Sequence, residues 1–187
     1  LIKMMGLEGP GNLLEKQKAK KLAPISISYE FDPNDYLKAR EFLLRKNNPD
    51  FQKSERDDLF SMETGIMQFK GRVHFGAGKC INSQLEGLKD VEDRNEIIRR
   101  VCAIIDKSIH LGYKIYPINY VAYDTVTGGN RFRSSYSDEE LSAVNEYLDK
   151  QLSKVSDIPN ITDDDYVYMR NMMLEMYANP LRNKLVA

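Results

Sequence analysis

The stretch from Leu22 to Phe31 restricts the fold more than any other part of this chain. Ile25, Ile27 and Tyr29 alternate with Ser26, Ser28 and Glu30. A period of two places one apolar row and one small polar row on opposite faces of a strand. Pro24 stands at the start, where a strand tolerates a residue without an N–H. A second strand-like stretch, Phe69 to Phe75, follows after helical sequence. Two adjacent strands do not by themselves make a stable sheet. The chain is therefore expected to be a fragment of a larger sheet, or to complete one in trans.

Everything else reads mainly as helix. Helical material at the start is broken by Gly9-Pro10-Gly11, and Asn12 caps a helix to Leu22. Asp32-Pro33 opens a helix to about Lys46, with Asp32 as cap and proline at the first helical position. Ser54 caps another, roughly 55 to 64. After the second strand come the turn Gly76-Ala77-Gly78 and a short extended piece, Lys79 to Ile81. Asp93 opens a long amphipathic helix through Ile97, Val101, Ile104 and Ile105, which Gly112 stops. Ile115 to Val126 is read as extended chain or a tyrosine-rich loop. Ser137 with Glu140 forms a capping box for the next helix. Thr162 to Asp165 caps a last one, which Asn179-Pro180 is expected to end.

Composition narrows the classes. The net charge of −1 offers no global field for nucleic acid. The lysines at positions 16, 18, 20 and 21 fit a solvated helix face. No apolar run approaches the roughly 20 residues that span a bilayer, and no secretory signal is expected. Cys80 and Cys102 lack metal-type spacing and are expected to be free, mostly buried thiols. The chain begins at Leu1 rather than Met, so its native start is expected elsewhere.

No motif supplies catalysis outright. His74 and His110 are the only histidines. Alternation along a strand places His74 on a sheet face, and His110 sits in the last turn of a helix, where a cation suits the dipole. Cys80 is read as structural. Gly76-Ala77-Gly78-Lys79 follows a strand but matches neither the dinucleotide fingerprint nor the P-loop pattern, and is read as a strand-ending turn. Asp163, Asp164 and Asp165 suit capping better than a cation site, so no metal ligand is assigned. Tyr113, Tyr116, Tyr120 and Tyr123 are read as core or subunit-interface packing, and Met169, Met172, Met173 and Met176 as a buried helix face.

Two places nevertheless resemble a known family. Pro24-Ile25 on the first strand is similar to the Val-Pro-Ile-like step of glycerolipid acyltransferases of the lysophosphatidic-acid type. Lys70-Gly71-Arg72-Val73-His74-Phe75-Gly76 resembles the strand that follows it in that family. Ala122-Tyr123-Asp124 and Met176 to Pro180 resemble the C-terminal portion of a bacterial subgroup. The family's histidine–aspartate pair, arginine block and Glu-Gly-Thr-Arg block have no counterpart. At the aspartate's position relative to each histidine stand Lys79 and Ile115.

The resemblance implies an α/β parent enzyme, represented here by an α+β fragment. Its few-stranded sheet would be flanked by helices, with a helical C-terminal third. It implies that 1–126 is the rear of an acyltransferase-like domain and 127–187 a helical extension. The activity implied is transfer of an acyl chain from acyl-CoA or acyl-carrier protein, as co-substrate rather than cofactor, to a lysophospholipid or glycerol-phosphate-type acceptor. The cytoplasmic face of the inner membrane is the implied place. Pro24, Ile25, Ser26 and Ser28 would lie beside the acyl side of the pocket, with no catalytic residue in this chain. Beside this stands a reading from another class: a non-catalytic binding or self-association module, forming a homo-oligomer.

Overall fold

Local capping chemistry starts most of the helices. The computed structural model describes residues 13–187. The expected break at Gly9-Pro10-Gly11 and the cap at Asn12 lie outside them. Along the described residues run α1 (Leu13–Lys20), β1 (Ile25–Tyr29), α2 (Asp35–Asn47), α3 (Glu55–Met67) and β2 (Val73–Ala77). Then follow α4 (Asn82–Leu85), α5 (Arg94–Gly112), α6 (Pro117–Thr127), α7 (Asp138–Leu152) and α8 (Asp163–Val186). This is an α+β fold with a two-stranded antiparallel sheet and a helical C-terminal region.

Ser54 and Asp57 cap α3 reciprocally, at 3.2 and 3.1 Å. Ser137 and Glu140 do the same for α7, and Thr162 and Asp165 for α8. Asp32 does not cap α2 as expected. Asn34 occupies that position, and the Asp32 carboxylate instead accepts from the Asn34 N–H at 2.9 Å. The second strand lies later than 69–75, because Gly71 turns the chain first at φ +64. A side chain there would meet Glu30 Oε2 at 2.7 Å. Residues 79–81 are not a strand: the Ile81 N–H donates to the Leu22 carbonyl and α4 begins directly after.

Two segments read differently from their sequence. Ile115 to Val126 is largely helical, as α6. Pro117 is pre-organised for the first helical turn, and the Asn119 side chain accepts from the Tyr116 N–H at 2.8 Å. Ile118, Val121 and Ala122 then fall on one buried face, and Gly128 closes the helix at φ +63. Pro180 does not end α8, which continues to Val186. An interior proline costs a helix about 3 kcal/mol. Burial of Tyr177, Ala178 and Leu181 on either side of it offsets that cost.

The described chain forms two compact units. The first gathers the residues up to Ser28 with His74–Lys114 and Val186–Ala187; the second gathers Tyr29–Val73 with Ile115–Leu185. The boundary expected at 126/127 falls within α6. In the first unit Leu14, Ile81, Leu85, Leu88, Ile97 and Val101 form the core. There α1 packs on α4, and the Asn82 side chain donates to the Lys18 carbonyl at 2.8 Å. Cys80 is exposed rather than buried, and Cys102 is half-buried; both are free.

The second unit packs α2, α6, α7 and α8 together. Leu43, Ile118, Leu148, Met169 and Met173 fill its centre, and Ala39, Ala122 and Ala178 let the helices approach. Met172 and Met176 cover its edge. Met173→Ala should therefore cost roughly 2–5 kcal/mol, whereas Val167→Ser on the exposed side of α8 should stay within about 0.5 kcal/mol. Urea denaturation followed by circular dichroism measures both. Equal losses would show that the methionine face is not the core.

Candidate functional site

The hydrogen bonds that flank the sheet set its register. Glu30 N–H donates to the Arg72 carbonyl at 2.9 Å and Gly78 N–H to the Pro24 carbonyl at 2.8 Å. Antiparallel pairing between these points sets Ser26 opposite Gly76 and Ile27 opposite Phe75. Directly opposed residues share a face, so Ser26 and Gly76 lie on one side and Ile25, Ile27 and Phe75 on the other.

The small polar row of β1 is the closed one. Ser26 is only 2% exposed, and its hydroxyl donates to the Gly76 carbonyl at 3.3 Å. A methyl group on Gly76 or on Gly112 would stand 2.5 Å from Ser26 Oγ. The last residue of α5 therefore approaches the strand closer than any larger side chain permits. Ser28 is buried too, and its Oγ accepts from the Lys114 N–H at 3.0 Å. Pro24 is buried, with its carbonyl engaged by Gly78. Of the four residues assigned to the acyl side of a pocket, Ile25 alone points out, 62% exposed. Ile27 at 47% and Phe75 at 66% share its face.

The Lys-Gly-Arg stretch before β2 has a structural use. Arg72 holds Glu30 in a two-pronged pair at 2.7 and 3.0 Å, and its guanidinium lies 5.1 Å from the centre of the Tyr116 ring. His74 is exposed on β2, and His110 lies in the last turn of α5 beside Tyr113. Among the described residues, no group of His, Cys, Asp and Glu is arranged to hold a metal ion.

The second unit contains a buried polar cluster that periodicity does not reveal. Asp35, in the first turn of α2, is 1% exposed. Tyr147 of α7 and Tyr177 of α8 each donate to Asp35 Oδ2 at 2.7 Å, and the Tyr36 N–H donates to Oδ1 at 2.6 Å. The Tyr177 hydroxyl accepts from the Asp32 N–H at 2.9 Å, and the Tyr147 hydroxyl from Gln151 Nε2 at 2.7 Å. Phe31 stacks on Tyr147 with ring centres 4.2 Å apart. Both hydroxyl hydrogens are spent on Asp35, so the cluster fastens three helices rather than offering an open acid or base. Gln151 Oε1 is buried and has no hydrogen-bond partner among the described residues. Helical spacing places Tyr147 and Tyr177 among the apolar positions of α7 and α8, and nothing near Asp35 in the chain marks it. Its partners lie 112 and 142 residues away, so no local spacing marks it.

Burial pushes the Asp35 carboxyl up to about 6, against the pull of the two tyrosine hydroxyls and the Tyr36 N–H; Asp32 adds a small push the same way. Burial, and then the Asp35 charge, push both phenols up as well. An acid whose folded pKa exceeds its unfolded value holds its proton more tightly when folded. Between about pH 4 and 6 the folded state therefore binds more protons, and stability falls as pH rises through that window. The change should approach about 3 kcal/mol, an order of magnitude set by a shift of about two units. Asp35→Asn should flatten that slope in urea titrations run from pH 4 to 7. An unchanged slope would place the titration elsewhere. No family model, curated protein or solved structure matches this chain, so its chemistry is argued from these residues.

Proposed function

We propose that this chain is a non-catalytic part of an acyltransferase. The parent enzyme would move an acyl chain from acyl-CoA or acyl-carrier protein to a lysophospholipid or glycerol-phosphate-type acceptor. A base histidine and its aspartate would come from another polypeptide segment. The observation that carries the reading is the sheet's orientation: the serine face is closed and the apolar face of Ile25, Ile27 and Phe75 is open. An alkyl chain laid along that face is recognised by burial alone, at about 25 cal/mol per Å² of apolar area removed from water. Two of the stretches that resemble the acyltransferases contribute to it, Pro24-Ile25 on β1 and Lys70 to Gly76 leading into and along β2. On this reading Ile25 touches the acyl chain, while Pro24, Ser26 and Ser28 hold the strand from behind.

Neither histidine has a carboxylate partner among the described residues, so transfer by this chain alone is not expected. No helix among them is long and apolar enough to cross a membrane. Contact with the cytoplasmic surface of the inner membrane would be peripheral. Exposed Leu59, Met62 and Ile66 form an apolar stripe along α3 and suit that contact. The same stripe favours a second reading, a self-association module, because exposed apolar patches mark interaction surfaces.

Irradiating the purified chain with an acyl-CoA bearing a diazirine on its acyl chain tests the first reading. Crosslinks should map to the peptides holding Ile25, Ile27 and Phe75, and Phe75→Asp should lower their yield roughly tenfold. Crosslinks scattered over the surface, or none, would remove the acyl-side assignment. Acyl transfer by the chain alone, abolished by His74→Ala, would overturn its non-catalytic role. If the chain is instead a self-association module, analytical ultracentrifugation should show a dimer or larger species that Ile66→Glu dissociates.

A further inference from the structure

The glycine stretch that matches no phosphate-loop pattern nevertheless borders a cavity. Ala77, Gly78 and Lys79 face Ile104, Lys107, Ser108 and Leu111 of α5 around a volume of about 530 Å³. That is within the range of small-molecule sites, roughly 300–1,000 Å³. Gly78 is what lets the loop come so close. A methyl group there would stand 2.5 Å from Ser108 Oγ and 2.9 Å from the Pro24 carbonyl.

The lining is positively charged and unneutralised. Lys79 and Lys107 make no ion pair and no side-chain hydrogen bond among the described residues, and no carboxylate lines the cavity. Asp106 precedes Lys107 in the chain but is not part of the wall. Lys18, in the same unit, contrasts with this: it sits between Glu15 and Glu86. The Ser108 hydroxyl also makes no hydrogen bond among the described residues and is a third available donor. Gln84 adds a neutral polar side chain to the wall, Ile104 and Leu111 supply its apolar part, and Leu111 is left half in water.

We propose that this cavity binds a phosphomonoester carried on an apolar body. A phosphomonoester bears close to two negative charges at neutral pH, which two lysines match; a carboxylate would leave one of them unpaired. Lysine serves phosphate as a compact point charge and needs no forked geometry. The carbonyl end of α5 disfavours an anion at Gly112, so the headgroup belongs at the two lysines and Ser108. The apolar body covers Ile104 and Leu111. The acceptor of the acyl-transfer reading falls in this ligand class, but the assignment does not rest on that reading: it uses none of Ile25, Ile27 and Phe75 and requires no reaction.

Titration calorimetry on the full chain tests it with three probes: inorganic phosphate, and octyl phosphate and octyltrimethylammonium below their micellar concentrations. Octyl phosphate should bind one to one and shift the backbone amide resonances of Ala77, Ser108 and Leu111. Inorganic phosphate should bind roughly tenfold or more weakly, for want of the apolar contact. The ammonium amphiphile should leave those resonances unmoved. The pair Lys79→Gln and Lys107→Gln should weaken octyl phosphate roughly tenfold or more while the melting temperature holds. Failure of octyl phosphate to bind would overturn the proposal. So would equal binding of the ammonium amphiphile, or unchanged affinity in the lysine variant, since either reduces the event to apolar adsorption. Inorganic phosphate binding as tightly as octyl phosphate would overturn the apolar half of the assignment.

Discussion

The contact on which the first unit depends is the approach of the end of α5 to β1. Ser26, Gly76 and Gly112 meet there at distances that admit no additional carbon. With the helix end against the serines, the polar row of β1 is closed, and Ile25, Ile27 and Phe75 face outward. The same approach builds the cavity between the Gly76–Lys79 loop and α5, because Gly76, Gly78 and Gly112 all border it. One set of small residues thus accounts for both the open apolar face and the cationic pocket. The proposed acyl-side surface and the proposed phosphomonoester site are separate consequences of that packing.

The second unit is organised around a different constraint. Asp35 is a carboxylate taken out of water, which is costly unless donors converge on it. Three do, from α2, α7 and α8. A satisfied buried network of this kind specifies one arrangement of helices, because any slip leaves a charge without donors. Its weak point is Gln151 Oε1, which is buried and unpaired among the described residues. The surrounding apolar packing of Leu43, Leu148 and Met173 supplies the stability that such a network does not supply alone.

Much of the framework was legible in the chain. The paired caps Ser54–Asp57, Ser137–Glu140 and Thr162–Asp165 lie three residues apart, so their chemistry is local. The amphipathic spacing of α5 and its stop at Gly112 are local as well. The signal for α6 was present in Pro117 and Gly128, but the tyrosines between them suit a strand or a loop equally well. For the candidate sites, the strand itself was legible and the direction of its faces was not. Lys79 stood in a motif that fails every phosphate-loop pattern. Lys107 stood on a helix face with nothing to tie it to Lys79.

Sequence alone determined where α3, α5, α7 and α8 begin, that β1 alternates, and that glycines follow His74. These depend on neighbours within a turn or two of chain. Tertiary structure decided that the serines turn inward, that α8 continues through Pro180, and that Asp35 meets Tyr147 and Tyr177. Alternation defines two faces but not which of them is covered. That depends on how closely a remote helix can approach, and here glycines at 76 and 112 allow it to reach Ser26.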